Sequence, residues 1–403
     1  MATSSPLIQP TKSRAIGNDL RTLLGWEKVK DDGPTLTAYA VDASIYRIPP
    51  QAVVLVESED DIATTIGYAR SRGIPLTPRA AGTNLTGSAI GSGIILDVSH
   101  LNRILEVNQE EQWARVQPGI VLAELNKQLS ARGLMFGPDP SSGDMCKLGG
   151  MVANNSSGPH TLRYGSVKDN VQSLRLCLTS SSWIEARAYP LTDPTLERLL
   201  TMVPALRDVL VLPQAHADLI AAKRPTVSKN SCGYNLFGVA DGLAQGVFDL
   251  PKLFVGSEGT LGIMSEATLR LVNRPTSTLT ALLHFKNLEE VGHAVPQILT
   301  LQPSALEVMD ANTLNLIGRA KHGIPADAAA TLLLELDADS TEIDLQEQAD
   351  ALRSICRPYK LASEPTLAFD AERREQLWKA RKAFSTRATA ASIPVPTSGA
   401  STR

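Results

Sequence analysis

The sequence predicts a layered α+β protein, and three observations carry that reading. Short apolar β-like runs alternate with amphipathic helices through residues 46–272. A composition break falls at Asn273-Arg274-Pro275-Thr276. Beyond it the strand-like runs 279–285 and 331–336 are separated by helical sequence, which reads as a second domain, an antiparallel sheet with helices on one face. The length of 403 residues agrees, because domains of roughly 150 residues predict two or three of them.

The elements follow in chain order. Residues 1–45 read as a polar N-terminal extension with one short helix at 18–24, ending near Gly25. Ala52-Val53-Val54-Leu55-Val56 is a strand. Ser58-Glu59-Asp60-Asp61 caps a helix whose Ile62, Ile66 and Ala69 share a face, and Gly73 closes it. Residues 74–78 run extended into a glycine loop, and 94–98 supply another strand. Arg115-Val116-Gln117-Pro118-Gly119 ends a strand, and Leu122, Leu125 and Leu129 mark a helix that Gly133 terminates. Residues 146–165 are dense in Gly, Asn and Ser and lack periodicity, the texture of a segment that wraps something or turns sharply. Residues 191–223 are mainly helical, and strand-like sequence returns at 252–255 and 267–272. The second domain runs over 276–403, and its sheet reads as incomplete because no terminal element closes it.

Composition excludes several classes. Hydrophobic residues at 43% and charged residues at 20% lie near globular averages, which argues against bulk disorder. Lys plus Arg total 39 against 42 for Asp plus Glu, so no positive excess exists to neutralise a nucleic acid. Cys146, Cys177, Cys232 and Cys356 form no C-x-x-C pair, which argues against a zinc ribbon, a cluster or a disulfide framework and fits a reducing compartment. The six histidines show no metal-type spacing, so no metal site is predicted. No apolar run approaches the roughly 20 residues of a membrane span, and the N-terminus has no hydrophobic signal core. A soluble, cytoplasmic protein is expected.

Three glycine clusters carry the chemistry. Pro78-Arg79-Ala80-Ala81-Gly82-Thr83-Asn84-Leu85-Thr86-Gly87-Ser88 follows a strand; its glycines can turn N–H groups toward an anion while Thr83, Asn84 and Thr86 add side-chain donors, which suits a diphosphate. No lysine follows Gly87, which removes an ATP-type phosphate loop, and no G-x-G-x-x-G opens a helix after a strand, which removes a simple nicotinamide site. For this loop alone an ordinary glycine-rich turn is an equal alternative. Gly137-Pro138-Asp139-Pro140-Ser141-Ser142 precedes Leu148-Gly149-Gly150-Met151-Val152-Ala153-Asn154-Asn155-Ser156-Ser157-Gly158, where paired glycines admit a flat ring or a phosphate. Gly256-Ser257-Glu258-Gly259-Thr260-Leu261-Gly262-Ile263 would suit the edge of an aromatic cofactor. Any one cluster is weak; three in one domain are harder to ascribe to turns.

In order and with family-like separations, PRAAGTNLTG, GPDPSS with LGGMVANNSSG, RYGSVKDNV and VGSEGTLGI resemble the FAD-binding, PCMH-type domain of the vanillyl-alcohol oxidase superfamily over residues 46–275. The likeness is strongest to the branch of D-lactate dehydrogenases, the glycolate oxidase flavin subunit and D-2-hydroxyglutarate dehydrogenases. It extends more weakly to Ala305-Leu306-Glu307-Val308-Met309-Asp310, Leu333-Leu334-Glu335-Leu336 and Leu377-Trp378-Lys379-Ala380-Arg381, which resemble the family's cap. The resemblance implies an FAD domain of two α/β subdomains, followed by a ferredoxin-like α+β cap. It implies FAD contacts from Pro78, Arg79, Ala81, Gly82, Thr83, Asn84 and Gly87 at the pyrophosphate loop. Pro138, Asp139, Ser142, Gly149, Gly150, Asn155, Ser157, Gly158, Tyr164 and Gly165 would line the nucleotide and flavin path, with Glu258, Gly262 and Ile263 closing over it. Some relatives attach FAD through a histidine where this chain reads Ala81-Gly82-Thr83, so the FAD is expected to be non-covalent.

Oxidising a 2-hydroxy acid requires hydride removal to flavin, a proton acceptor and a cationic clamp on the carboxylate. Arg381 resembles the family's carboxylate-binding arginine and Ser385 a neighbouring hydroxyl; a solvated helix charge is the alternative for Arg381. Lys229-Asn230-Ser231-Cys232-Gly233-Tyr234-Asn235 also resembles a segment near the flavin, although Tyr234 and Asn235 are equally read as structural. The Gly-Asp-Gly-Asn-x-His and Glu-His-Gly segments of relatives do not occur, so the catalytic base is unassigned; His160 stands near the flavin-lining residues. The expectation is an FAD-dependent dehydrogenase of D-lactate or glycolate type, passing electrons to a quinone, a cytochrome or an iron–sulfur segment or subunit. Its place would be cytoplasmic, or peripheral at the inner membrane through a partner. Truncation is the favoured account of the missing segments, and the alternative function is an FAD-binding subunit or fragment without independent turnover. An oxidase of amino-sugar precursors or aromatic alcohols fits less well, because Arg381 suggests a carboxylate.

Overall fold

The apolar runs at 52–55 and 94–97 become neighbouring parallel strands in the computed structural model, which describes residues 10–227, 229–338 and 344–392, with side chains from 15 to 383. The chain divides into two compact units, Met1–Gly158 with Gly165–Val272, and Pro159–Tyr164 with Asn273–Arg403.

Two large sheets build the first unit. In one, Ala52–Leu55 and Leu76–Arg79 both run parallel to Ile94–Asp97, and Val29–Lys30 adds an antiparallel edge. The helix Glu59–Arg72 joins the first two of these strands because its start and stop are encoded locally. Ser58 and Asp61 form a capping box, and Gly73 takes the left-handed conformation at φ +62. Its Ile62, Ile66 and Ala69 are buried with Val54 and Leu96. The helix at 18–24 is longer than its apolar pattern suggested, Pro10–Leu24, and the stretch expected as an extension joins this core through Ile16, Leu20 and Val29.

The second sheet of this unit has six strands, all antiparallel, in the order Val247–Asp249, Trp183–Pro190, Val171–Cys177, Ile263–Arg270, Trp113–Val116 and Ile104–Asn108. Leu174, Leu176, Ala267 and Leu269 face a core completed by Leu122, Leu125 and Leu129 of the helix Leu122–Ser130. Two local expectations are corrected. Residues 252–254 belong to a helical turn, Pro251–Phe254, which Val255 caps, rather than to a strand: Pro251 fits a first helical turn, and so short an apolar run has no period to read. The aperiodic stretch 146–165 contains helices Leu148–Ala153 and Thr161–Tyr164. Burial of Leu148, Met151 and Val152 at helical spacing outweighs the poor propensity of Gly149 and Gly150.

The second unit is built on an antiparallel sheet of four strands in the order Ala305–Asp310, Ala330–Ala338, Ser277–Phe285 and Thr366–Ala368. Numbered in chain order this is 2-3-1-4, the ferredoxin-like arrangement, with helices Leu288–Ile298 and Leu345–Cys356 as crossovers. Strand alternation gives the sheet two unlike faces. Leu279, Ala281, Leu283 and Phe285 lie opposite Leu336, Leu334, Leu332 and Ala330 and pack under the two helices. The other face carries Thr278, Thr280, Leu282 and His284 opposite Asp337, Glu335, Leu333 and Thr331; it is as buried as the first and mostly polar.

Candidate functional site

The first unit contains a cleft enclosing about 1040 Å³ of empty space, open solvent at its mouth included. Its first wall is the loop that leaves Leu76–Arg79. Asn84 Oδ1 accepts from the Thr86 and Ser88 amides at 2.7 and 3.1 Å and tightens the turn. Among the described residues no group accepts a hydrogen bond from the amides of 81–85. Arg79 braces the loop from behind: Nη1 donates to the carbonyls of Val41 and Ala89 at 2.8 and 3.3 Å, and the guanidinium lies 5.0 Å from the Tyr39 ring centroid. Gly82 has φ +68, and a Cβ there would meet the Arg79 guanidinium at 2.5 Å, so glycine lets the loop close over the arginine.

The helix Leu148–Ala153 and the loop after Phe254 make the other walls. They are tied together where the amides of Gly256 and Glu258 donate to the carbonyls of Val152 and Ala153 at 2.9 and 3.0 Å. Gly256, Glu258 and Gly259 all have positive φ, and a Cβ at Gly259 would meet Pro78 Cγ at 2.5 Å. Lys147 is among the lining residues, and Leu174, Leu176, Ile263 and Met264 add apolar ones.

Twelve of the residues expected around a cofactor line this cleft: Pro78, Arg79, Ala81, Gly82, Thr83, Asn84, Ser142, Gly149, Gly150, Glu258, Gly262 and Ile263. The remaining eight lie outside its lining. Gly87 is packed on Tyr46, where a Cβ would come within 2.9 Å of the ring. Gly158 lies on Asp139, leaving 2.1 Å between a Cβ and the Asp139 carbonyl oxygen; Pro138 precedes this contact and is buried. Asn155 is a buried connector, accepting from the Lys168 amide at 2.9 Å and donating to the Asn230 carbonyl at 3.4 Å. Ser157 is half-buried, and Gly165 turns at φ +73 beside Asp169. Tyr164 belongs to the second unit, where its hydroxyl donates to Asp337 Oδ2 at 2.7 Å. The Tyr234 hydroxyl pairs with that of Thr260 at 2.7 Å, and the Asn235 side chain caps Leu236–Ala244. Sequence reading missed Lys147, Pro118 and the Leu174/Leu176 pair, whose only signals were one charge beside a glycine pair and a strand alternation.

The polar sheet face of the second unit gathers the other candidates. Glu335 is the hub: Oε2 is 2.7 Å from His160 Nε2, and Oε1 accepts from Trp378 Nε1 at 2.7 Å and from the Thr280 hydroxyl. Burial pushes its carboxyl up, but the hydrogen bonds from His160, Thr280 and Trp378 prevail and hold it below the ordinary carboxylate range. Asp337, two residues on, accepts from Thr278 at 2.6 Å besides Tyr164, and its carbonyl accepts from Arg163 at 3.0 Å. Arg381 is not a solvated helix charge. Its Nε donates to Glu307 Oε2 at 2.7 Å, and both side chains are only 23% exposed. Ser385 falls on the helix Ala371–Ser392, with a side chain outside the described residues. Burial of His284, whose Nδ1 lies 2.8 Å from the Thr331 hydroxyl, pushes its pKa below the ordinary imidazole value.

Comparison with known proteins bears on both units. Residues 50–187 match the FAD binding domain and residues 274–398 the C-terminal domain of FAD linked oxidases. D-2-hydroxyglutarate dehydrogenase of Pantoea ananatis is 34% identical over 76% of this chain and 31% of its own length. Glycolate oxidase subunit GlcD of Bacillus subtilis is 29% identical over 86% of this chain and 63% of its own. The mitochondrial D-lactate dehydrogenase [cytochrome] of Kluyveromyces lactis is 26% identical over 83% and 50%. The chain thus spans between about a third and just under two thirds of these relatives. A solved alkyldihydroxyacetonephosphate synthase shares the fold at a TM-score of 0.62 and 17% identity, over 94% of this chain and 65% of that one.

Proposed function

Because the chain belongs to the FAD-linked oxidases, we propose that it binds FAD in the glycine-lined cleft and oxidises a D-2-hydroxy acid to the 2-oxo acid. The cleft fits the cofactor. Amides of 81–85 without acceptors, in a cleft that Lys147 also lines, suit a diphosphate, and the apolar residues Leu174, Leu176 and Ile263 suit a flat ring. No histidine stands in the loop, so nothing there would tether the flavin covalently. When bound, FAD supplies the two-electron acceptor that the oxidation of a C–H bond requires.

The observation that carries the substrate class is Arg381 on the polar sheet face. With Nε fixed by Glu307, the guanidinium plane is set, and its terminal N–H groups can take a carboxylate with little further ordering. The acceptor of the electrons would be a quinone, a cytochrome or an iron–sulfur centre. Among the described residues no helix is long and apolar enough to cross a membrane.

The test is the anaerobic visible spectrum of the FAD-loaded chain before and after D-lactate, glycolate and D-2-hydroxyglutarate in turn. Bleaching by one of them supports the dehydrogenase and names its substrate. Bound FAD with an unchanged band in all three would replace this reading by that of a subunit that holds the cofactor without turning over. A chain that cannot be loaded with FAD would overturn both.

A further inference from the structure

Residues 40–48 close a small hairpin beside the first glycine loop. The Ile48 amide donates to the Ala40 carbonyl at 2.8 Å, and Val41 pairs with Arg47 as an antiparallel bridge. Side chains write its turn: Asp42 Oδ1 accepts from the Ser44 amide at 2.8 Å, and Ser44 Oγ from the Tyr46 amide at 3.1 Å. Three ties seat the hairpin on the loop. The Val41 carbonyl accepts from Arg79 Nη1 at 2.8 Å, Tyr46 packs on Gly87, and the Ala43 amide donates to the Gly82 carbonyl at 3.0 Å. Among the described residues, this last tie is the one backbone–backbone hydrogen bond that reaches 81–85 from outside the loop. The peptides here are trans, and in a planar trans peptide C=O and N–H point in opposite directions. Holding the Gly82 carbonyl on the hairpin therefore turns the Thr83 N–H to the other side. Thr83 lines the cleft, and none of residues 40–48 does.

We propose that Ala43 is a positioning residue of the cofactor site: through its amide, the hairpin aims the Thr83 N–H at the diphosphate of the nucleotide before the nucleotide arrives. The inference rests on the FAD reading above and adds to it the element that orders the loop in advance. A nest of amides binds an anion only while its N–H groups converge. A loop already ordered spares the ligand the conformational entropy of ordering it, and that saving appears as affinity. The anchoring of the hairpin supports this role. At its base the Tyr39 hydroxyl donates to Asp97 Oδ2, and Asp97 is the strand neighbour of Arg79, the residue from which the loop departs. Ser99, two residues beyond Asp97, donates from Oγ to the Ala80 carbonyl at 3.2 Å. The strand thus fixes the start of the loop and the hairpin fixes its middle. The hairpin does so from outside the stretch 50–187 that matches the FAD binding domain.

The experiment uses the full chain, freed of FAD, with A43P, which deletes the N–H, and A43G, which keeps it. Calorimetric titration with ADP, which carries the diphosphate, and with riboflavin, which does not, separates the two parts of the cofactor. A43P should weaken ADP and FAD roughly 5- to 30-fold, the cost of ordering about one residue of backbone, and leave riboflavin within about twofold. A43G should keep most of the ADP affinity that A43P loses. Unchanged ADP and FAD affinity in A43P would overturn the assignment while leaving FAD binding intact. Equal loss for ADP and riboflavin, or equal loss in the two variants, would also overturn it, as the mark of a hairpin that only supports the fold. A wild type that takes up neither FAD nor ADP would sink the cofactor reading together with the proposal. Should A43P not fold, amide hydrogen exchange of the wild type decides. An Ala43 amide protected with and without ADP, and a Thr83 amide protected only with it, support the proposal. An Ala43 amide that exchanges freely, or a Thr83 amide unmoved by bound ADP, refutes it.

Discussion

Arg381 and Glu335 show how little a residue's type says about its work. In sequence Arg381 is one of several cations on a charged helix; in the fold it is the one held by Glu307 on a buried face. Replacing it with alanine removes charge-assisted hydrogen bonds worth about 1.5–3 kcal/mol, so kcat/KM for a carboxylate substrate should fall roughly 10- to 150-fold with FAD content unchanged. Steady-state kinetics beside flavin absorbance checks this, and equal loss of both signals would refute the clamp. Lysine should restore only part of the activity, because it cannot reproduce the planar fork. At Glu335 the consequence is for stability. Its folded pKa lies below the ordinary 4.5, so its stabilisation is complete above that value and is lost as pH falls through the lower folded value. Urea unfolding at about pH 6 and pH 3 should show a steeper acid loss in the wild type than in E335Q, and identical acid slopes would mean that the carboxylate is not ionised in the folded chain.

At the scale of elements, two glycines eight residues apart should respond oppositely to the same change. Gly150 sits in the short helix Leu148–Ala153 and lines the cleft, where a Cβ would meet only Ala80 at an ordinary 3.9 Å. G150A should leave the melting temperature of the FAD-free chain unchanged or higher, by up to about 1 kcal/mol of helix propensity, while weakening FAD. Gly158 is pressed on the Asp139 backbone at 2.1 Å from its would-be Cβ. G158A should destabilise the FAD-free chain by roughly 1–3 kcal/mol, as overpacking does. Thermal melts without FAD and a fluorescence titration with FAD separate the two, and a stable G158A would show that the Asp139 contact yields freely. The capped helix Glu59–Arg72 was legible because its signals are local. The helix Leu148–Ala153 was not, since two glycines oppose it and only burial of three apolar residues forms it.

For the whole molecule, a cofactor that is bound but not tethered should act on stability by mass action. Free FAD at a hundred times its Kd should add about 2.7 kcal/mol to the unfolding free energy, and acid should release all of it. Flavin fluorescence remaining with the denatured chain would contradict the histidine-free loop 81–83. What the sequence determined by itself was the order of the layers and the glycine loops, parts of which line the cleft. Strand and helix periods, caps and glycine turns are written in neighbouring residues, and the motifs around 78–88, 148–158 and 255–263 are contiguous. Only the tertiary structure decided which of those residues face the cleft and which, like Asn155 and Gly158, hold its frame. It alone decided that His160, written close after the glycine pair at 149–150, belongs with Glu335 and Trp378. A hydrogen bond between positions 160 and 335 depends on how the chain returns upon itself, and no local period or propensity encodes that distance.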